Sequence, residues 1–165
     1  MRRDWMAEWK RIGIEVGYLP VGARYAGSAA GGAENLRVEV NPEDHWTRQR
    51  FSVAHEVGHI VIDWALETGR AIDATGLELE RLCDRFASLA LAPRHAVLKF
   101  ISTKGAPSWS PWTAIGLAKH LAIGVEQAIR AVADTALCKD FALIAARPRG
   151  HPLREEVVSL RLECA

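Results

Sequence analysis

The chain has 165 residues, and its 21 basic and 20 acidic side chains leave a formal charge of +1. This excludes the broad electropositive footprint of a nucleic-acid or anionic-membrane binder, so any such contact would have to be local. That length suits one domain able to bury roughly 70% of the surface its unfolded form exposes. Cys83, Cys138 and Cys164 are odd in number and never form a C-x-x-C pair, which argues against a disulfide framework or a thiolate zinc knuckle and fits a reducing cytoplasm.

The stretch MRRDWMAEWKR is interrupted by Asp4, Glu8 and Lys10 before an apolar leader core can form, and no long apolar run follows anywhere. A soluble, cytoplasmic protein without membrane attachment is therefore expected. Trp5, Trp9, Ile12 and Val16 recur at helical spacing and predict an amphipathic helix over residues 4–17, its aromatic stripe inward and Asp4 near its start. The Gly/Ala-rich AGSAAGGAEN, Ala26 to Asn35, has little to bury and predicts a loop or wide hairpin turn. Leu36-Arg37-Val38-Glu39-Val40 alternates apolar and charged side chains, the period of a half-buried strand.

Asn41-Pro42-Glu43-Asp44 has the makings of a helix start, and the helix should run to about Glu67, before Gly69. Trp46, Val53, Val57, Ile60 and Trp64 would lie along one side, with His55 and His59 about 40° apart on another. Thr75-Gly-Leu-Glu78 is a capping box for a second helix, about 76–92, which Pro93 helps end. Residues 112–134 predict further helix with a break near Gly124, and FALIAAR (141–147) and VVSLRLE (157–163) predict two strands around the turn-rich PRGHP.

The chemistry concentrates in His55-Glu56-Val57-Gly58-His59. From composition alone, on the order of 0.02 H-E-x-x-H matches are expected by chance, so context must decide its meaning. Histidines at i and i+4 on one helical face can both present a ring nitrogen to Zn²⁺, while the Glu between them can take a proton from water. A catalytic site also needs a third protein ligand and an open position. The metzincin extension is excluded, because Ile62 and Ala65 stand where its Gly and His would be. Glu80-Arg-Leu-Cys-Asp84 puts two acids one helical turn apart, as in thermolysin-like sites. Glu80 is thus the expected third ligand, and Asp84 the expected acceptor of a hydrogen bond from a ligand histidine. Glu78 is disfavoured by its capping role, and Asp63 and Asp73 lack a partner pattern.

RFSVAHEVGHIV followed by ERLCDRFASLALAP resembles the ImmA/IrrE-type metallopeptidases over Arg50 to Pro93, with the strand LRVEVN in its expected place upstream. Leu89 replaces a frequent acidic or small residue, and Ala90 and Ala92 are smaller than usual; none of the three is a ligand position. The resemblance implies a zinc peptidase of bacteria, phages or mobile elements. Such a peptidase cleaves a partner repressor of the helix-turn-helix class and so relieves transcriptional repression, usually after stress or DNA damage. By position, His55, His59 and Glu80 would be ligands and Glu56 the general base.

Five side chains are candidates for stabilising an oxyanion, namely His45, His95, His120, His151 and Tyr25, and nothing in the sequence chooses among them. Strand Leu36, Arg37, Val38, Glu39, Val40 could bind extended substrate along an exposed edge, or equally be an interior strand. IGLAKHLAIGVEQAIRAV (115–132) weakly resembles a helix-turn-helix, but Lys119, His120 and Arg130 are thin basic cover for DNA. The alternative function is accordingly a DNA-binding or protein-binding regulator retaining a peptidase scaffold. The expected architecture is a single α+β zincin-like domain over 1–165. Its core, about 1–95, would hold a small, mostly antiparallel sheet, and a helical and β extension would occupy about 96–165.

Overall fold

The computed structural model describes residues 4–24, 26–30, 36–70, 72, 74–104 and 111–135, so the strands expected at 141–147 and 157–163 lie outside the described residues. In chain order the elements are α1 (Trp5–Lys10), β1 (Ile14–Tyr18), β2 (Gly27–Ala30), β3 (Leu36–Val40), α2 (Trp46–Glu67), α3 (Leu77–Leu91), α4 (Arg94–Lys104), α5 (Pro111–Leu121) and α6 (Val125–Asp134). This is the α+β class that the sequence predicts. Two compact units divide the chain, Met1–Leu91 and Ala92–Ala165.

In the first unit the helix expected over 4–17 ends at Lys10, and Ile14 and Val16 belong to β1. Gly13, at φ +86°, makes the break. That left-handed backbone is open to glycine and costly to other residues, and the β-branched Ile14 and Val16 after it suit a pleated strand. Ile12 is consequently 67% exposed. Trp5 and Trp9 do turn inward, packing with Val16, Leu36 and Val57 against a buried cluster of Ile14, Val38, Val40 and Val53.

The sheet has the order β1-β3-β2 and is mixed. β1 runs parallel to β3, pairing Ile14 with Leu36 and Val16 with Val38, and β2 runs antiparallel to β3, pairing Gly27 with Val40. Its alternation puts Val38 and Val40 inside and leaves Arg37 outside, where it pairs with Glu39 at 3.0 Å. Being central, β3 has both edges hydrogen-bonded to neighbours. Capture of substrate main chain by Leu36, Arg37, Val38, Glu39 and Val40 is therefore corrected, because backbone groups already in a ladder cannot accept another strand. The segment expected to be a loop instead supplies the edge strand β2, Gly-Ser-Ala-Ala. Pairing with β3 overrides the weak strand preference of these small residues.

Helix α2 starts later than expected. Asn41 Oδ1 accepts from the Glu43 N–H at 2.9 Å and its Nδ2 donates to the Ala23 carbonyl at 3.0 Å, which makes a turn, and His45 is the cap, accepting from the Thr47 N–H. The helix ends at Glu67 as predicted, before Gly69 at φ +81°. Val53 is fully buried, whereas Trp64 is 62% exposed and does not join the inward stripe. Buried Arg50 reaches Glu8 of α1 at 3.5 Å, joining the two helices by an ion pair.

In the second unit, α4 is a helix for which the sequence offered no signal beyond Pro93. That proline's carbonyl accepts from the N–H groups of Ala96 and Val97, so the residue that ends one helix opens the next. The break predicted near Gly124 is present. Ala122 takes φ +58° and Gly124 caps α6. Val97, Phe100, Leu117, Ile123, Ile129 and Val132 are the larger of the buried apolar side chains of this unit, with several alanines between them. Among the described residues no helix is long and apolar enough to cross a membrane.

Candidate metal centre

One turn of α2 separates His55 from His59, and their ring nitrogens Nε2 lie 3.2 Å apart. The carboxylate of Glu80 on α3 straddles the pair, with Oε2 3.2 Å from His55 Nε2 and Oε1 3.4 Å from His59 Nε2. For a tetrahedral ion bonded at about 2.0–2.1 Å, neighbouring donors must sit about 3.3 Å apart. Each imidazole nitrogen has the other, and one oxygen of Glu80, near that spacing, so the chemistry of the set fits a divalent metal once the carboxylate turns one oxygen to both rings.

His55 is oriented from behind. Its Nδ1 donates to Asp84 Oδ1 at 2.9 Å. Since a carboxylate only accepts, this contact favours the tautomer with its proton on Nδ1, in which Nε2, facing Glu80 and His59, would offer its lone pair to a metal. Glu80 and Asp84, at i and i+4 on α3, thus face the two imidazoles on α2 as the sequence spacing suggests.

Glu56 lies beside the edge strand. A Cβ built on Gly27 of β2 would stand 3.2 Å from Glu56 Oε1 and 3.3 Å from its Cγ, so any larger residue there would make this carboxylate give way by a few tenths of an ångström. Burial raises the Glu56 pKa above the usual carboxylate value; His55 and His59 oppose the shift and Glu80 adds to it. A carboxyl whose pKa is higher folded than unfolded stabilises the fold at pH below the unfolded value, and that contribution is lost as pH rises through the folded value. Metal-free Glu56→Gln protein is therefore expected to melt above the wild type at neutral pH, with the gap closing in acid. Melting curves that coincide at neutral pH would show that this group bears no burial penalty.

A second possible third donor is Cys83. His55, His59 and Cys83 form a group able to hold a metal, one ligand atom from each lying within 4.8 Å of the others. The cysteine is fully buried, and its pKa is pushed up to about 11 by burial first and then by Glu80 and Asp84. It comes this close because α2 offers Gly58 there. A Cβ on Gly58 would meet Cys83 Cα at 3.2 Å and Phe86 Cδ1 at 3.3 Å. Backbone cannot yield as a flexible side chain can, so Gly58→Val should push apart the two helices that carry the donors. The expected cost is about 1–3 kcal/mol of stability together with weaker metal binding. Denaturant midpoints and zinc titration check both, and an unchanged pair of values would disprove the close helix contact.

The sequence pointed to His55, Glu56, His59, Glu80 and Asp84, and the structure brings all five together. It missed Gly27, Gly58 and Cys83. The signal for Cys83 was its position three residues after Glu80, one turn along the same face. Of the oxyanion candidates, His45 caps α2. His95 lies on α4 and His120 on α5, its ring 5.2 Å from Phe100, both in the second unit. Tyr25 and His151 lie outside the described residues. In the α5–α6 pair, Arg130 is engaged by Glu126 at 2.8 Å, and Gln127, Ala128 and Ile129 are buried.

A family model described as the IrrE N-terminal-like domain, of the M78 peptidases, matches residues 9–131, a span that includes every donor above. No curated protein matches the chain.

Proposed function

The chain belongs to the M78 peptidases with an IrrE N-terminal-like domain, and from that premise we propose that it is a zinc-dependent endopeptidase whose substrate is a helix-turn-helix repressor, cleaved to relieve repression. The observation that carries the proposal is the meeting of two imidazole Nε2 atoms and the Glu80 carboxylate at 3.2–3.4 Å, with Glu56 alongside. His55, His59 and Glu80 are the proposed ligands. Glu80 is preferred to Cys83 because its carboxylate oxygens already approach both Nε2 atoms, at 3.2 and 3.4 Å, whereas burial pushes the thiol's pKa up to about 11.

When bound, a zinc ion supplies Lewis-acid polarisation of the scissile carbonyl and lowers the pKa of water towards about 7. Glu56 takes the proton of the attacking water and delivers it to the leaving amine, a role suited to a carboxyl whose basicity is raised by burial. Asp84 holds His55 in one tautomer and one orientation. Among the described residues β2 pairs on one side only, through β3. Its free edge begins at Gly27 beside Glu56, so an extended peptide added there would run past the base, and the small side chains of Ser28, Ala29 and Ala30 leave it space.

The test is cleavage of a small helix-turn-helix protein encoded next to this chain. Zinc-loaded protein should release two fragments that mass spectrometry can locate, and chelator should stop it. An intact repressor under zinc-replete conditions would remove this substrate class. A gel shift at rising salt addresses the other reading: steeply salt-dependent DNA binding that ignores chelator would favour a regulator.

A further inference from the structure

We propose that Cys83 is a reserve ligand for thiophilic ions, so that a soft divalent cation of the cadmium type is held by His55, His59 and Cys83 in place of His55, His59 and Glu80. This rests on the metal-site reading given above. The two third donors come from one helix, a turn apart, and approach the same pair of imidazoles from different depths. Glu80 is half-exposed and ends a long, flexible side chain, whereas Cys83 is fully buried against α2.

The ligand atoms of His55, His59 and Cys83 lie within 4.8 Å of one another. A tetrahedral site with one sulfur needs separations of about 3.5–4 Å, so closure by at most about 1 Å, within reach of rotation of the thiol and of the His59 ring, completes it. Carboxylate oxygen suits harder ions, and thiolate sulfur softer ones. On binding the soft ion the S–H bond breaks, the sulfur–metal bond forms, the proton passes to solvent and the Glu80 carboxylate is released. The site thereby sorts ions by softness through which of the two donors on one face of α3 answers.

The experiment uses full-length chain with Cys138 and Cys164 replaced by Ser, so that Cys83 is its one thiol. Cadmium and zinc are titrated separately into metal-free protein, recording ultraviolet absorption for the thiolate-to-metal charge-transfer band. Expected is a band with one equivalent of cadmium that Cys83→Ser abolishes, together with a loss of cadmium affinity of about 10- to 100-fold and a much smaller loss for zinc. Cys83→Ala is the second variant should Ser disturb the fold, checked by circular dichroism. Stoichiometric cadmium binding without the band, or a band that survives both variants, overturns the proposal while leaving the metal site standing. A chain that binds neither ion would bring down the metal-site reading itself.

Discussion

Glu56→Gln is expected to keep its full complement of zinc and to lose repressor cleavage by about 10²–10⁴-fold, the span over which a positioned proton acceptor contributes to catalysis. The substitution keeps size and shape beside Gly27, where a Cβ would already come within 3.2 Å of the carboxylate, so the β2 edge should be undisturbed. What it removes is the ability to accept a proton. The loss should fall on kcat with KM little changed, because the group acts on water and the leaving amine rather than on substrate binding. Metal analysis decides what such a loss means. If zinc left along with activity, Glu56 would be a ligand and the assignment of base and ligand would have to be exchanged.

Glu80→Gln is expected to weaken zinc binding by more than about 100-fold, and Asp84→Asn by about 10- to 100-fold. The difference in rank follows from geometry. Glu80 approaches both Nε2 atoms, at 3.2 and 3.4 Å, whereas Asp84 reaches only Nδ1 of His55, at 2.9 Å, and acts through the imidazole. In Asp84→Asn the amide can still accept from Nδ1–H through its oxygen, which preserves orientation while removing the charge that strengthens the ligand. Zinc titration against a competing chelator ranks the two. Should Glu80→Gln bind zinc like the wild type while Cys83→Ser does not, the third ligand would be the cysteine.

Much of the site was legible because its parts are local. His55, Glu56 and His59 lie within one turn and a half of one helix, and Glu80 and Asp84 within one turn of another, so helical geometry sets their directions before any packing is known. The same holds for the end of α2 at Glu67 and the break at Gly124, where glycine or its neighbours take backbone conformations that other residues avoid. Periodicity failed where two elements share one pattern. Trp5, Trp9, Ile12 and Val16 fit a continuous apolar stripe, yet the stripe passes from helix to strand at Gly13, because Val16 pairs with Val38 in the sheet and packs, partly buried, against the core there.

The sequence by itself determined which atoms could bind a metal and which could move a proton, since those properties belong to residue type and to spacing along a helix. Tertiary structure decided which strand is an edge and what stands near the base. β3 reads as an ideal strand and is central, while Gly-Ser-Ala-Ala reads as a loop and is an edge strand whose Gly27 stands beside Glu56. The physical reason is that strand order and helix approach depend on contacts between distant segments. A glycine at 58 admits a cysteine at 83 to the metal's neighbourhood, and that relation exists only once the two helices meet.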